Sequence, residues 1–268
     1  MEFSQVSVLI PCRDGEKTLE STIRSLLNQE LDVSIVIADD ASKDKTPDVI
    51  HFFKKYGKVK SVRYPRREPR NYARVPVLIN MASKVSLPSD FYMISGDDSV
   101  YPPDYLKKLI NFMRNDEVEL ASGYFDKYEH RTLPSGSGRL ITAALFKKIT
   151  PFPNGMGWES WMIYKALLMG KRVAVYPIRY KHERKYSYKS TLTFGYSAYV
   201  NGVPFIFTLL RALRSLVLGI HTPINSIFIV IGHLEYIVRN IEKFDTAPFV
   251  YNLHKWRIKK FIRRLIDA

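Results

Sequence analysis

The chain has 268 residues, 46% of them hydrophobic, which suffices for one large globular domain or a domain with an appendage. Its 41 Lys and Arg against 26 Asp and Glu leave a net charge of +15, and the excess lies late: residues 1–178 hold 26 basic and 21 acidic side chains, residues 179–268 hold 15 and 5. A single cysteine, Cys12, excludes an intramolecular disulfide, Met1–Gln5 shows no basic segment leading into an apolar signal, and no stretch reaches about 18 uninterrupted apolar residues, so the expected setting is a reducing cytoplasm with no transmembrane span.

In chain order, Val6–Ile10 reads as an apolar strand stopped by Pro11, followed by a helix over Glu16–Asn28 with Leu19, Ile23, Leu26 and Leu27 at helical spacing. Val33–Ala38 is a second strand, ending in Asp39-Asp40-Ala41-Ser42, and Pro47–Tyr56 a second helix. The alternation continues with a strand over Val59–Tyr64, a helix over Arg74–Ser83, a strand over Phe91–Ser95, a helix over Tyr105–Arg114 and a strand over Val118–Tyr124. Such alternation implies a mostly parallel, doubly wound sheet. The character changes between residues 180 and 190, and the remainder reads as helices. Pro204–Ile220 is an amphipathic helix with Arg211 and Arg214 on one face. In His254–Ile266, residues Ile258, Phe261, Ile262 and Leu265 form an apolar stripe among six basic residues. That helix either lies on an anionic membrane or packs, basic face outward, on its own domain.

The acids carry the chemistry. Asp97 and Asp98 follow the apolar run Phe91–Ile94 and precede Pro102-Pro103, which places them at the carboxyl end of a strand, where open α/β sheets bind ligands. Paired hard oxygen donors suit Mg2+ or Mn2+ bridging to substrate phosphates, although acids also end strands and cap helices.

Four features in order resemble the family 2 glycosyltransferases of the GT-A fold: Val8-Leu9-Ile10-Pro11, Ile37-Ala38-Asp39-Asp40-Ala41-Ser42, Gly96-Asp97-Asp98 followed by Pro103-Asp104-Tyr105-Leu106, and Gly157-Trp158-Glu159. The likeness spans roughly residues 5 to 180. It implies an α/β chain with a Rossmann-like, mostly parallel central sheet and flanking helices, residues 1–185, plus a C-terminal helical extension, residues 186–268, for acceptor or membrane association.

The resemblance also implies roles. Asp40, with Asp39 beside it, would hydrogen-bond the base of a nucleotide-sugar donor, with Pro11 and Arg13 flanking that base and Arg74 contacting the nucleotide. Asp97 would approach the ribose or the metal, Asp98 would bind the Mn2+ or Mg2+ ion directly, and His182 is a further ligand candidate, with Lys181, Arg184 and Lys185 as diphosphate contacts on a loop over the donor. Glu159 would be the general base of an inverting transfer. Two departures stand out. Ser95 replaces the first acid of the commoner Asp-x-Asp-Asp pattern, and Trp158 replaces the Glu that usually precedes the catalytic acid. Trp158 and Trp161 are placed either to stack on an acceptor sugar or to pack in the core.

The expected activity is therefore transfer of a sugar from a UDP-sugar to a hydroxyl of a lipid-linked or membrane-proximal glycan, at the inner face of the cell membrane. A polyprenyl-phosphate sugar synthase is the alternative, though the Gln-His-Pro that such relatives add after their acids is absent. A catalytically dead scaffold is a third reading. Nucleic acid is not an expected partner, because the acidic loops at 39–40 and 97–98 repel a polyanion.

Overall fold

A computed structural model describes residues 5–125, 133–182 and 188–266. The chain forms two compact units, one from Met1–Asn154 with Met169–Arg184 and one from Gly155–Leu168 with Lys185–Ala268. The stretch Gly155–Leu168 thus clusters with the C-terminal helices, where the sequence had suggested a single boundary near residue 185.

The first unit is built on strands β1 (Val6–Cys12), β2 (Val33–Asp39), β3 (Val59–Arg63), β4 (Phe91–Ile94), β5 (Ser99–Val100), β6 (Leu120–Phe125), β7 (Arg139–Thr142) and β8 (Val173–His182). Their order is β3-β2-β1-β4-β7-β6-β8-β5. Pairings β3-β2, β2-β1, β1-β4 and β6-β8 are parallel, whereas β7 runs antiparallel to both β4 and β6, and β5 antiparallel to β8. The sheet is mixed, a parallel half joined through β7 to a second parallel pair. Helices α1 (Leu19–Leu27), α2 (Thr46–Lys54), α3 (Val75–Val85), α4 (Tyr105–Asn115) and α5 (Ala143–Ile149) complete the unit. The strands are apolar because both faces are covered: Val8, Ile10, Ile35, Ile37 and Met93 are fully enclosed, and α1 and α4 add Leu19, Ile23, Leu26 and Leu109 to the same core.

Pro11 does not stop β1. The strand runs on to Cys12, with Pro11 opposite Ala38 of β2. Pairing to β4 ends at Leu9, so beyond that point β1 has a neighbour on one side only, and a residue without an N–H is tolerated there. Likewise β7, which follows the undescribed residues 126–132, buries Arg139 by donating its guanidinium to the carbonyls of Ser135 and Pro134, at 2.9 and 3.3 Å. Nothing in the hydropathy pattern marks such a strand.

The second unit comprises α6 (Trp158–Leu168), α7 (Tyr188–Val200), α8 (Phe205–Val217), α9 (Pro223–Val238) and α10 (Ala247–Ile266). Helices α7 and α9 cross at glycines: a Cβ on Gly195 would stand 2.1 Å from the Ile229 carbonyl oxygen, and one on Gly232 2.3 Å from that of Leu192. Only hydrogen at both positions permits this approach. Helices α8 and α9 are inverted relative to an ordinary amphipathic helix. Helix α8 buries Thr208, Ala212 and Ser215 while Leu209, Leu213, Leu216 and Val217 are exposed. Helix α9 buries Ser226, Ile229, Gly232 and His233 while Ile224, Ile227, Ile231, Leu234 and Ile237 are exposed. Among the described residues no helix is long and apolar enough to cross a membrane. The backbone of α10 is described to Ile266, but the side chains of Ile258, Phe261, Ile262 and Leu265, on which its apolar stripe rests, lie outside the description.

Candidate active site

The carboxyl ends of β2, β1 and β4 bring two acid pairs together through Cys12. Its carbonyl accepts the Asp40 N–H at 2.8 Å, and its thiol donates to Asp97 Oδ2 at 3.2 Å. The chain turns closely here. A Cβ on Gly15 would fall 2.7 Å from Cys12 Sγ and 2.8 Å from Asp97 Oδ2, so the loop after β1 reaches the acids only because residue 15 has no side chain.

Asp40 is buried and braced by two arginines that are themselves buried. Arg13 Nη1 donates to Oδ2 at 3.0 Å and Arg74 Nη2 to the same oxygen at 3.1 Å. Arg74 Nε stands 2.8 Å from Oδ1, but its angle is poor, and Oδ1 accepts no well-formed hydrogen bond although it is sealed from solvent. Arg74 also pairs with Glu68 Oε2 at 2.6 Å, and Arg13 donates to the Glu68 carbonyl at 2.7 Å. The arginine-rich segment before α3 therefore folds back over the ends of β1 and β2. Arg67 grips Asp14 through two bonds of 2.9 and 3.1 Å, and that hydrogen bonding, outweighing the partial burial, holds the Asp14 carboxyl well below the usual carboxylate range. Asp39 points elsewhere: its Oδ1 accepts the Ser42 N–H at 2.9 Å, closing the turn after β2, while Oδ2 takes Arg63. Asp39 is thus engaged in holding the loop that presents Asp40.

Asp97 and Asp98 are both nearly closed to solvent. The β5-β8 pairing sets Ser99 opposite His182, and His182 Nε2 faces Asp98 Oδ1 at 3.5 Å. Ser95, at the position of the missing acid, is fully buried in a hydroxyl cluster. Its Oγ lies 2.9 Å from Tyr101 Oη, which lies 2.8 Å from Ser137 Oγ, and Ser137 Oγ in turn accepts the Gly96 N–H at 2.8 Å and meets Ser99 Oγ at 2.7 Å. Burial pushes the Tyr101 hydroxyl up to about 12, so it stays protonated and serves the cluster as donor. The cluster fixes the Asp97-Asp98 loop from beneath. Ser137 was invisible in the sequence, because its partners lie about 40 residues upstream on another strand end.

Two carboxylates with an imidazole facing one of them form a hard, oxygen-rich donor set suited to Mn2+ or Mg2+. Among the described residues no group of three or more His, Cys, Asp or Glu side chains is placed to hold a metal ion, so an ion bound here would need substrate oxygens and water as further ligands. Pro11 sits half-buried beside this edge and Lys181 is exposed on β8, while Arg184 and Lys185 lie outside the described residues. In the second unit, Glu159 is exposed on the first turn of α6. Trp158 and Trp161 are buried, and Trp161 Nε1 donates to Asp245 Oδ1 at 2.6 Å; both rings pack in the helical core.

A family model, glycosyl transferase family 2, matches residues 7–191. The chain belongs to glycosyltransferase family 2. Among curated proteins it is similar to the poly(ribitol-phosphate) beta-N-acetylglucosaminyltransferase TarP of Staphylococcus aureus, 27% identical over 149 residues, which are 54% of this chain and 42% of that protein. The chain thus matches well under half of this relative's length. Its fold is that of S. aureus TarS 1–349 solved with UDP-GlcNAc, with a TM-score of 0.58, 18% identity and coverage of 79% of this chain and 66% of that one. It is also that of the mannosyltransferase PcManGT from Pyrobaculum calidifontis solved with GDP-Man and Mn2+, with a TM-score of 0.63, 14% identity and coverage of 99% and 84%. The family 2 chain accordingly has the GT-A fold that its four motifs implied, with C-terminal helices present.

Proposed function

We propose that this family 2 chain transfers a sugar, with inversion, from a UDP-sugar to a hydroxyl of a lipid-linked or membrane-proximal glycan. The observation that carries the reading is the meeting of two acid pairs, Asp39-Asp40 and Asp97-Asp98, at neighbouring strand ends tied through Cys12. The carboxylate of Asp40, braced by Arg13 and Arg74, is the acceptor we assign to the imide N–H of a uracil. Arg13 and Arg74 hold that carboxylate in position, and Asp97 would meet the ribose. Asp98 and His182 would hold the divalent ion, Mn2+ or Mg2+, which when bound neutralises charge on the departing diphosphate. Glu159 takes the proton from the attacking hydroxyl. A UDP-sugar donor is supported by the UDP-GlcNAc found with TarS, and the ion by the Mn2+ found with PcManGT.

The inverted helices α8 and α9 support peripheral attachment to the inner membrane face. Their outward aliphatic rows are accompanied by Arg211, Arg214 and Arg239, a combination that suits an anionic lipid surface. Calorimetry against UDP, GDP and UDP-sugars, with and without Mn2+, tests the donor site. Metal-dependent UDP binding that Asp98→Ala abolishes is the expected outcome. Absence of nucleotide binding with metal present, or undiminished binding by the variant, refutes it.

A further inference from the structure

The helical unit contains a cavity of about 370 Å3 whose walls come from α6, α7, α8 and α10. Three cations reach it, Arg211 and Arg214 from α8 and Arg257 from α10, and no carboxylate is among the lining residues. Tyr164 of α6 lines the same cavity. An anion bound there would offset the mutual repulsion of Arg214 and Arg257, and guanidinium forks match phosphate oxygens.

Two further side chains in the wall are incomplete. His254 has both ring nitrogens shut off from solvent without a hydrogen-bond partner. Burial, reinforced by the charge of Arg257, holds its pKa below the ordinary value, so the ring is neutral and offers one donor and one acceptor. Asn201 is fully buried: its amide donates to the carbonyls of Gly157 and Ser197, at 3.0 and 2.8 Å, which fixes the orientation of the group and leaves Oδ1 without a partner. Buried polar atoms left unmatched on one cavity are a standing demand for a polar ligand.

The remaining wall is apolar, with Val203, Phe207 and Leu210. Leu210 is also half-exposed and belongs to the outward aliphatic face of α8, so the cavity opens along the surface that faces lipid in the reading above. We infer that this cavity is a second binding site, for a phosphate group carried on an apolar chain, with Arg211, Arg214 and Arg257 on the phosphate and Phe207 and Leu210 along the chain. All of its lining residues belong to the helical unit.

The test is calorimetry of the full chain with geranyl phosphate, geraniol and inorganic phosphate, on the wild type and on the double variant Arg214→Gln, Arg257→Gln, both residues being exposed. Thermal melting reports folding of the variant, and UDP titration reports the other site, so failure of the donor reading remains distinguishable from failure here. Geranyl phosphate is expected to bind at least about tenfold tighter than inorganic phosphate, and the variant to lose at least about tenfold, the scale of one charge-assisted contact. Geraniol is expected not to bind. Absence of geranyl phosphate binding, or equal binding by a folded variant, overturns the site. Equal affinity for inorganic phosphate overturns the apolar-chain half and makes the ligand a free phosphate.

Discussion

The two units of this chain handle polarity in opposite ways. In the α/β unit the aliphatic side chains are inside, and the buried charges are paired: Asp40 with Arg13 and Arg74, and Asp39 with Arg63. In the helical unit, Ser226, His233, Thr208 and Ser215 are inside, most leucines and isoleucines of α8 and α9 face out, and His254 and Asn201 hold unmatched atoms. In the function proposed above, the sheet would take the donor and the helices the membrane surface and the acceptor.

The sharpest way to separate the units is Glu159→Gln. Metal-dependent UDP binding, which the proposed function assigns to the sheet, is expected to stay at the wild-type level, while turnover falls by roughly 10^2 to 10^4, the usual contribution of a general base. Unchanged turnover in a glycosyl-transfer assay would remove α6 from the chemistry. Next comes Arg74→Ala, which strips one partner from a buried carboxylate. A loss of about 3 kcal/mol on denaturant unfolding is expected, together with weakened UDP binding. A change under about 1 kcal/mol would show that Arg13 alone satisfies Asp40.

On the helical side, Leu213→Asp with Val217→Asp alters two exposed aliphatics and so leaves the fold intact. Co-sedimentation with anionic vesicles is expected to fall by about 100-fold, from the two apolar burials lost. Undiminished pelleting, or a shift from dimer to monomer on sizing, would assign the face to a second copy instead. The smallest effect belongs to Arg67→Ala. Because Asp14 is depressed below its ordinary 3.8 in the folded chain, its contribution to stability is present above that pH and disappears as pH falls through the folded value. Variant and wild type should therefore differ slightly in melting temperature at neutral pH and converge in strong acid, the pair being partly exposed.

The parallel half of the sheet was legible because each strand is an apolar run ended by acids, and Asp97 and Asp98 fall where the sequence placed them, just past β4. The reach of β1 through Pro11 was not, since it depends on where β4 stops pairing. The meeting of His182 with Asp98 depends on a two-residue pairing, Ser99-Val100 with Lys181-His182, across some 80 positions of chain. The direction of the helical faces escaped for a different reason: hydrophobic periodicity reports that two faces differ, and says nothing about which one turns inward. In α9 the polar Ser226 and His233 share the buried side with Ile229 and Gly232.

The hydroxyl cluster beneath the acids limits what position 95 can hold. Ser95, Tyr101, Ser99 and Ser137 fill one another's hydrogen-bonding capacity in a place that water does not reach, so an aspartate at position 95 would enter as a buried charge with no cation beside it. Seating an aspartate at position 95 therefore requires several of these residues to change together.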